Sequence, residues 1–274
     1  MLYLSRRVDF SAMHSYQVPG WTDEKNKTVF GLCSNPNGHG HDYQLEVMVR
    51  GKLVQKSGIV VNTVDIKKVV GDFIERELNG KFLNKELPHF RTNIPTTENI
   101  VAYLWESIAP LLLDCDLHRL RLHENHYLVS EKGEGNMVTL TRKYHFSAAH
   151  RLHSEQLTEE ENLHLFGKCN NPYGHGHNYY LEVSVKGEPD PITGMVTDLS
   201  ILDKTVESLV LDKFDHKHLN LDMDDFKGLN PTSEVVAKVI YELLDPFIPN
   251  LHKIGLWETE KNYFEYAGTE ETAS

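Results

Sequence analysis

The sequence predicts an α+β protein made of two copies of one domain, each a four-stranded antiparallel sheet with two helices on one face. Three observations carry this. The phrase FGLCSNPNGHGHDYQLEV, starting at Phe30, returns as FGKCNNPYGHGHNYYLEV, starting at Phe166, with thirteen of eighteen positions identical and an offset of 136 residues. The same offset carries FSAMH, ending at His14, onto FSAAH, ending at His150. Within each copy two strand patterns come first, two helical patterns next and two strand patterns last, a grouping that suits an antiparallel sheet covered by helices on one side.

In the second copy the segment up to His150 alternates as a strand, with Tyr144, Phe146, Ala148 and His150 on one face. The next strand begins at His175 and puts His175, His177, Tyr179, Leu181, Val183 and Val185 on one face. Glu182, Ser184 and Lys186 take the other. The first copy repeats the pattern through Val8, Phe10, Ala12 and His14, then His39, His41, Tyr43, Leu45, Val47 and Val49. One helix is expected from about Ser200 to Lys213. A second starts near Thr232 and lines Val236, Val239, Ile240, Leu243, Leu244 and Phe247 along one stripe. Closing strands are expected near His252 to Glu258 and Tyr263 to Ala267.

The 274-residue length agrees with two domains. Residues 1–133 and 134–268 form the copies, the joint EKGEGN (Glu131 to Asn136) is short, and the polar tail 269–274 is expected to be flexible. Apolar content of 40% and charged content of 25% describe an ordinary soluble chain. A net charge of −12 argues against a nucleic-acid surface. No apolar run reaches membrane-spanning length, and MLYLSRRVDFSAMH enters a strand pattern without a signal-peptide core. The three cysteines, Cys33, Cys115 and Cys169, make no disulfide framework, so a cytoplasmic setting is expected.

Three histidines fall at strand ends on the buried side of the sheet in both copies. Neutral imidazole is the commonest zinc ligand. Three protein ligands with one open position is the catalytic zinc arrangement, whereas four would be structural. The expected metal sets are His150, His175 and His177, and in the first copy His14, His39 and His41.

At these residues the sequence resembles the 6-pyruvoyl tetrahydropterin synthase family, which includes the bacterial 6-carboxytetrahydropterin synthases. The segments FSAAHRL, EENLHLFGKCNNPYGHGHNY, VKGEPDPITGMVTDL, FDHKHLN, NPTSE and WET carry the resemblance. It implies the tunnelling fold (T-fold), whose domains join edge to edge into barrel rings that stack in pairs. It also implies 7,8-dihydroneopterin triphosphate as substrate, Zn(2+) as cofactor, and a homo-oligomer in which three tandem chains form a pseudo-hexamer. Neither nucleic acid nor membrane is an expected partner.

The reaction removes triphosphate and shifts protons along the substrate side chain. Cys169, six residues before His175, is the candidate base, its thiol activated by the metal and Lys168. Asp215 and His216 in FDHKHLN are the candidate second proton relay, the carboxylate orienting the imidazole. Glu258 is the expected anchor of the pterin 2-amino group and N3–H. Thr232 and Glu234 open the second helix as cap and dipole partner, and within the family this turn also helps to hold the pterin.

The first copy keeps Cys33, Thr96, Glu98 and Glu124 but has Asn79 and Gly80 where the second has Asp215 and His216. Lys168 becomes Leu32, and Arg151 becomes Ser15. The first copy is therefore expected to hold metal, and at most a pterin, without turning over alone. The resemblance also implies sites at subunit boundaries, where Asp215 and His216 are candidates to serve a zinc held by the first copy.

The leading reading is a zinc-dependent lyase giving 6-pyruvoyl tetrahydropterin. The alternatives are 6-carboxytetrahydropterin synthesis and a zinc-holding, pterin-binding scaffold without catalysis. The interval between Cys169 and His175 resembles the pyruvoyl branch, while NPTSEVVAKVIYELL resembles the carboxy branch.

Overall fold

A computed structural model describes residues 1–268; the tail 269–274, read above as flexible, lies outside them. The chain divides into two compact units. One is Met1–Thr141 with Lys186–Ser200, and the other is Arg142–Val185 with the residues from Ile201 onward. Lys186–Ser200 thus packs with the first unit, although the repeat places it in the second copy.

The first unit holds five strands: β1 (Leu2–His14), β2 (His39–Gly51), β3 (Lys81–Phe82), β4 (Asp116–His123) and β5 (Leu128–Lys132), ordered β5-β4-β2-β1-β3. β1 and β2 pair antiparallel with His14 opposite His39, Ala12 opposite His41 and Phe10 opposite Tyr43. Side chains alternate across a strand, so this register sets three imidazoles side by side on the inner face. The helices Thr63–Glu77 and Thr97–Ile108 cover that face through Ile66, Val70, Ile74, Ile100, Val101 and Leu104, all buried against Leu45, Val47, Leu120 and Leu122. Asn62 and Thr96 cap them by accepting the backbone N–H groups of Val64 and Asn99.

The second copy repeats the plan with β6 (Val138–His150), β7 (His175–Gly187), β8 (Lys217–His218), β9 (Leu251–Thr259) and β10 (Asn262–Tyr266), ordered β10-β9-β7-β6 with β8 on β6; the second unit takes β6 from Arg142 and β7 as far as Val185. Helical turns run from Leu199 to Phe214, with a π-turn over Glu207–Leu211, and a second helix spans Ser233–Leu244. Phe214 meets Phe146 edge-on at 5.6 Å, which fixes the first of these helices to β6. Val236, Ile240 and Leu244 are fully buried, as the stripe requires, but the helix ends at Leu244 and Phe247 is 62% exposed beyond it.

Two features differ from the expected element set. A two-residue parallel strand joins the outer side of each first strand, pairing Ala12 with Lys81 and Ala148 with Lys217. Short helices, Asp23–Phe30 and Glu159–Phe166, occupy the stretch before each GHGH segment. Thr158 opens the latter with a capping box closed by Glu161. Among the described residues no helix is long and apolar enough to cross a membrane.

Candidate active site

β6 delivers His150 at its last residue and β7 delivers His175 and His177 at its first and third, so the triad forms where the two strands begin to pair. One nitrogen from each ring lies within 4.8 Å of the others. His150 Nε2 and His175 Nε2 are 3.2 Å apart. In the first unit the corresponding distance, between His14 and His39, is 3.0 Å. Zinc bonded to nitrogen at about 2.0–2.1 Å in a tetrahedron requires ligand atoms roughly 3.4 Å apart, so both sets have the spacing of a metal site.

The hydrogen bonds leave the right atoms vacant. His150 Nδ1–H donates to the Pro231 carbonyl at 2.7 Å, and His14 Nδ1–H to the Pro95 carbonyl at 3.0 Å. Holding the proton on Nδ1 leaves Nε2 as a lone pair facing its neighbours. His177 Nε2 and His41 Nε2 are buried without a hydrogen-bond partner, an arrangement that costs free energy unless a cation takes the lone pair. Burial, opposed by the Pro231 carbonyl and helped by His175 and His177, lowers the His150 pKa to about 4. Burial, with His39 and His41, lowers that of His14 to about 3. At neutral pH both rings are in the uncharged form that binds metal. Residues of this kind fit a borderline metal such as zinc.

Glu258, near the end of β9, borders the triad. Its Oε1 accepts a hydrogen bond from Ser233 Oγ at 2.6 Å and lies 3.9 Å from Nε2 of both His150 and His177. Asn262 Nδ2 donates to Oε2 at 3.2 Å. Burial works to raise this carboxyl, but Ser233, Asn262, His177 and His150 outweigh it and hold it below the ordinary glutamate value. Glu258 is therefore an anion with part of its surface open, able to accept N–H donors. In the first unit Glu124 takes Thr97 Oγ1 at 2.7 Å and faces His41 Nε2 at 3.6 Å.

Cys169 sits on the 3₁₀ turn Gly167–Asn170, half-buried, and its carbonyl accepts the Leu152 N–H at 2.9 Å. Burial, with Glu258 and to a lesser degree the Cys169 thiol, raises the Tyr179 phenol. None of the three cysteines is in a disulfide. Lys168 is exposed, and its ammonium enters no ion pair among the described residues. Thr232 caps the helix Ser233–Leu244, and Glu234 in its first turn is exposed.

Asp215 and His216 do form a pair, with Oδ2 to Nδ1 at 2.9 Å. Asp215 Oδ1 accepts the Ser147 N–H at 2.8 Å, and His216 N–H donates to the Ser147 carbonyl. The Ser147 bond, ahead of His216, lowers the Asp215 pKa. His216 lines an open recess of about 530 Å³ together with Ser147, Asn178, His218 and the triad residue His177. Among the described residues none of the pair's hydrogen bonds reaches Cys169 or the triad.

Sequence reasoning missed Ser233, Asn262, Pro231 and Tyr179 as supports. Ser233 and Pro231 lie within NPTSE, and Tyr179 repeats as Tyr43 in the duplicated phrase, so the repeat itself held a signal for them.

The family model described as 6-pyruvoyl tetrahydropterin synthase matches this chain twice, over residues 3–132 and 139–269. The chain belongs to the 6-pyruvoyl tetrahydropterin synthase family. It is 50% identical over 135 residues to a putative 6-pyruvoyl tetrahydrobiopterin synthase of Caenorhabditis elegans, covering 48% of this chain and 96% of that protein. It is 34% identical over 128 residues to a 6-carboxy-5,6,7,8-tetrahydropterin synthase of Synechocystis, covering 45% of this chain and 88% of that protein. The solved structure of the Caenorhabditis elegans 6-pyruvoyl tetrahydropterin synthase aligns over 48% of this chain and 96% of its own, with 49% identity and a TM-score of 0.47. Such relatives are one domain long, and this family member carries two such domains in one chain.

Proposed function

We propose that the second domain converts 7,8-dihydroneopterin triphosphate to 6-pyruvoyl tetrahydropterin with release of triphosphate, using zinc held by His150, His175 and His177. The observation that carries this reading is the convergence of the buried His150 with the half-buried His175 and His177, the Nε2 of His177 being unpartnered, beside the partly open carboxylate of Glu258. The greater similarity to the pyruvoyl-type relative than to the carboxy-type relative supports the choice of product.

When bound, zinc supplies a Lewis acid that polarises the substrate's side-chain oxygens and acidifies the adjacent C–H. Glu258 accepts the pterin 2-amino and N3–H groups, and Ser233 and Asn262 fix the rotamer that does so. Cys169 takes the proton as thiolate. Asp215 keeps the His216 imidazole oriented to hold a second proton, on the outward side of the unit where a neighbouring chain presents its substrate. Lys168 meets the triphosphate. Arg151 joins it, its guanidinium donating to Asn170 Oδ1 at 2.9 Å. The assembly we propose is three chains forming two stacked rings, in the reducing cytoplasm.

Incubation of the purified protein with 7,8-dihydroneopterin triphosphate, with products identified by mass, tests the reading. The pyruvoyl product is expected. A carboxy product with acetaldehyde would move the chain to the other branch, and unchanged substrate would leave a binding scaffold.

A further inference from the structure

The two domains differ at one residue that reaches the anchoring carboxylate. Tyr16 stands 136 positions before Leu152 and follows β1 as Leu152 follows β6. The backbones match there: Tyr16 N–H donates to the Cys33 carbonyl at 2.8 Å, and Leu152 N–H to the Cys169 carbonyl at 2.9 Å. Tyr16 is buried, and its ring meets His14 edge-on at 4.8 Å. Its hydroxyl donates to Glu124 Oε2 at 3.4 Å, the oxygen that already accepts Thr97.

Tyr16 is also packed in place. Val18, Phe30, Ile94 and Met195 are buried around it. At the offset, Ser154 and Asn230 replace Val18 and Ile94, and both are half-buried polar residues. The side chain of Glu124 retains 5% exposure, against 16% for Glu258. A pterin presents two parallel N–H donors and needs both carboxylate oxygens, with a flat space in front of them. In the first domain a buried phenol ring stands against Oε2 and supplies its donor, whereas the donor to Glu258 Oε2 is the exposed side chain of Asn262, which an entering ring can displace. Leu152 has no group that can act as the Tyr16 hydroxyl does.

We propose that Tyr16 closes the first domain to pterins, so that the chain carries two metal triads and one pterin site. The inference rests on the reading of the second domain as a pterin site. Tyr16 is a specificity-determining residue: it leaves His14, His39 and His41 free to hold metal while excluding the ring that Glu124 would otherwise anchor.

Equilibrium dialysis of the zinc-loaded full chain against neopterin, with zinc counted in the same samples, tests this. The wild type is expected to bind one pterin and two zinc ions per chain. Tyr16→Leu is expected to bind two pterins with zinc unchanged, and Tyr16→Phe, which keeps the ring, one. Leu152→Tyr is expected to bind none while keeping both zinc ions, and it decides the matter if Tyr16→Leu loses its fold. Two pterins on the wild type, one on a folded Tyr16→Leu, or one on Leu152→Tyr would each overturn the role of Tyr16. A wild-type count of zero would instead remove the pterin reading of the second domain, and the proposal with it.

Discussion

The Nδ1–H of His150 donates to the Pro231 carbonyl at 2.7 Å, and this bond decides which face of the imidazole is left for a metal. Pro231 immediately precedes the cap of the helix Ser233–Leu244, so the helix that packs the core also sets the tautomer of His150.

His150→Ala removes the most buried imidazole of the second triad. Zinc content is expected to fall from two ions per chain to one, and turnover of the pterin triphosphate by at least about a hundredfold, because Lewis-acid stabilisation is worth several kcal/mol. Elemental analysis and a mass-resolved assay read both. Retention of most activity would mean that the first domain runs a working site.

Gly174 precedes the triad strand with φ +73°. A Cβ there would lie 2.7 Å from His218 Nε2 and 2.8 Å from the His150 carbonyl oxygen. The backbone oxygen cannot give way, so Gly174→Ala must shift the end of β6. A loss of roughly 2 kcal/mol in stability and of about tenfold or more in zinc affinity is expected. Calorimetry and competition with a chelator are the measurements, and unchanged zinc affinity would contradict this reading of the turn.

Asp215→Asn keeps an acceptor for the Ser147 N–H but loses the carboxylate that orients His216. The maximal rate is expected to drop by about 10²–10⁴, with zinc content and melting temperature close to wild type. A rate within threefold of wild type would remove the pair from the proton relay.

Burial raises the Glu98 pKa to about 7, opposed by backbone bonds from its own N–H and Val196, with Glu124 raising it further. Its folded pKa thus exceeds its unfolded value near 4.5. Between these values the folded state holds the extra proton, so the contribution to stability is present below pH 4.5 and is lost as pH rises through 7. The loss is on the order of 3 kcal/mol at its upper limit. Glu98→Gln is expected to flatten denaturant stability between pH 5 and 8. An identical slope in both proteins would exclude Glu98 as the source.

Much of this was legible because the chain is its own comparison. The triads, their strands and both long helices follow from alternation at His150 and His177 and from the stripe through Val236 and Ile240. The two-residue strands β3 and β8 carry no periodic signal, since two residues cannot show alternation. The helix Glu159–Phe166 leaves Leu163 and Leu165 exposed, so no apolar stripe announced it. The place of Lys186–Ser200 in the first unit depends on tertiary bonds, such as Val196 N–H to Glu98 Oε1 at 3.1 Å, that no local pattern encodes. Nor could spacing reveal that the Asp215–His216 pair is held by the backbone of Ser147.

His216 has φ +58°, and Gly80, its counterpart, has φ +72°. Both copies bend the chain into the left-handed region at the same point, but only glycine does so without a Cβ penalty. A side chain there costs about 1 kcal/mol. The second domain tolerates a strained imidazole, whereas the first relaxes the same bend with a residue that has nothing to offer a proton. With His216 as the proposed proton carrier, glycine at position 216 would make the second domain sturdier and idle at once, a trade of robustness against turnover written at a single torsion angle.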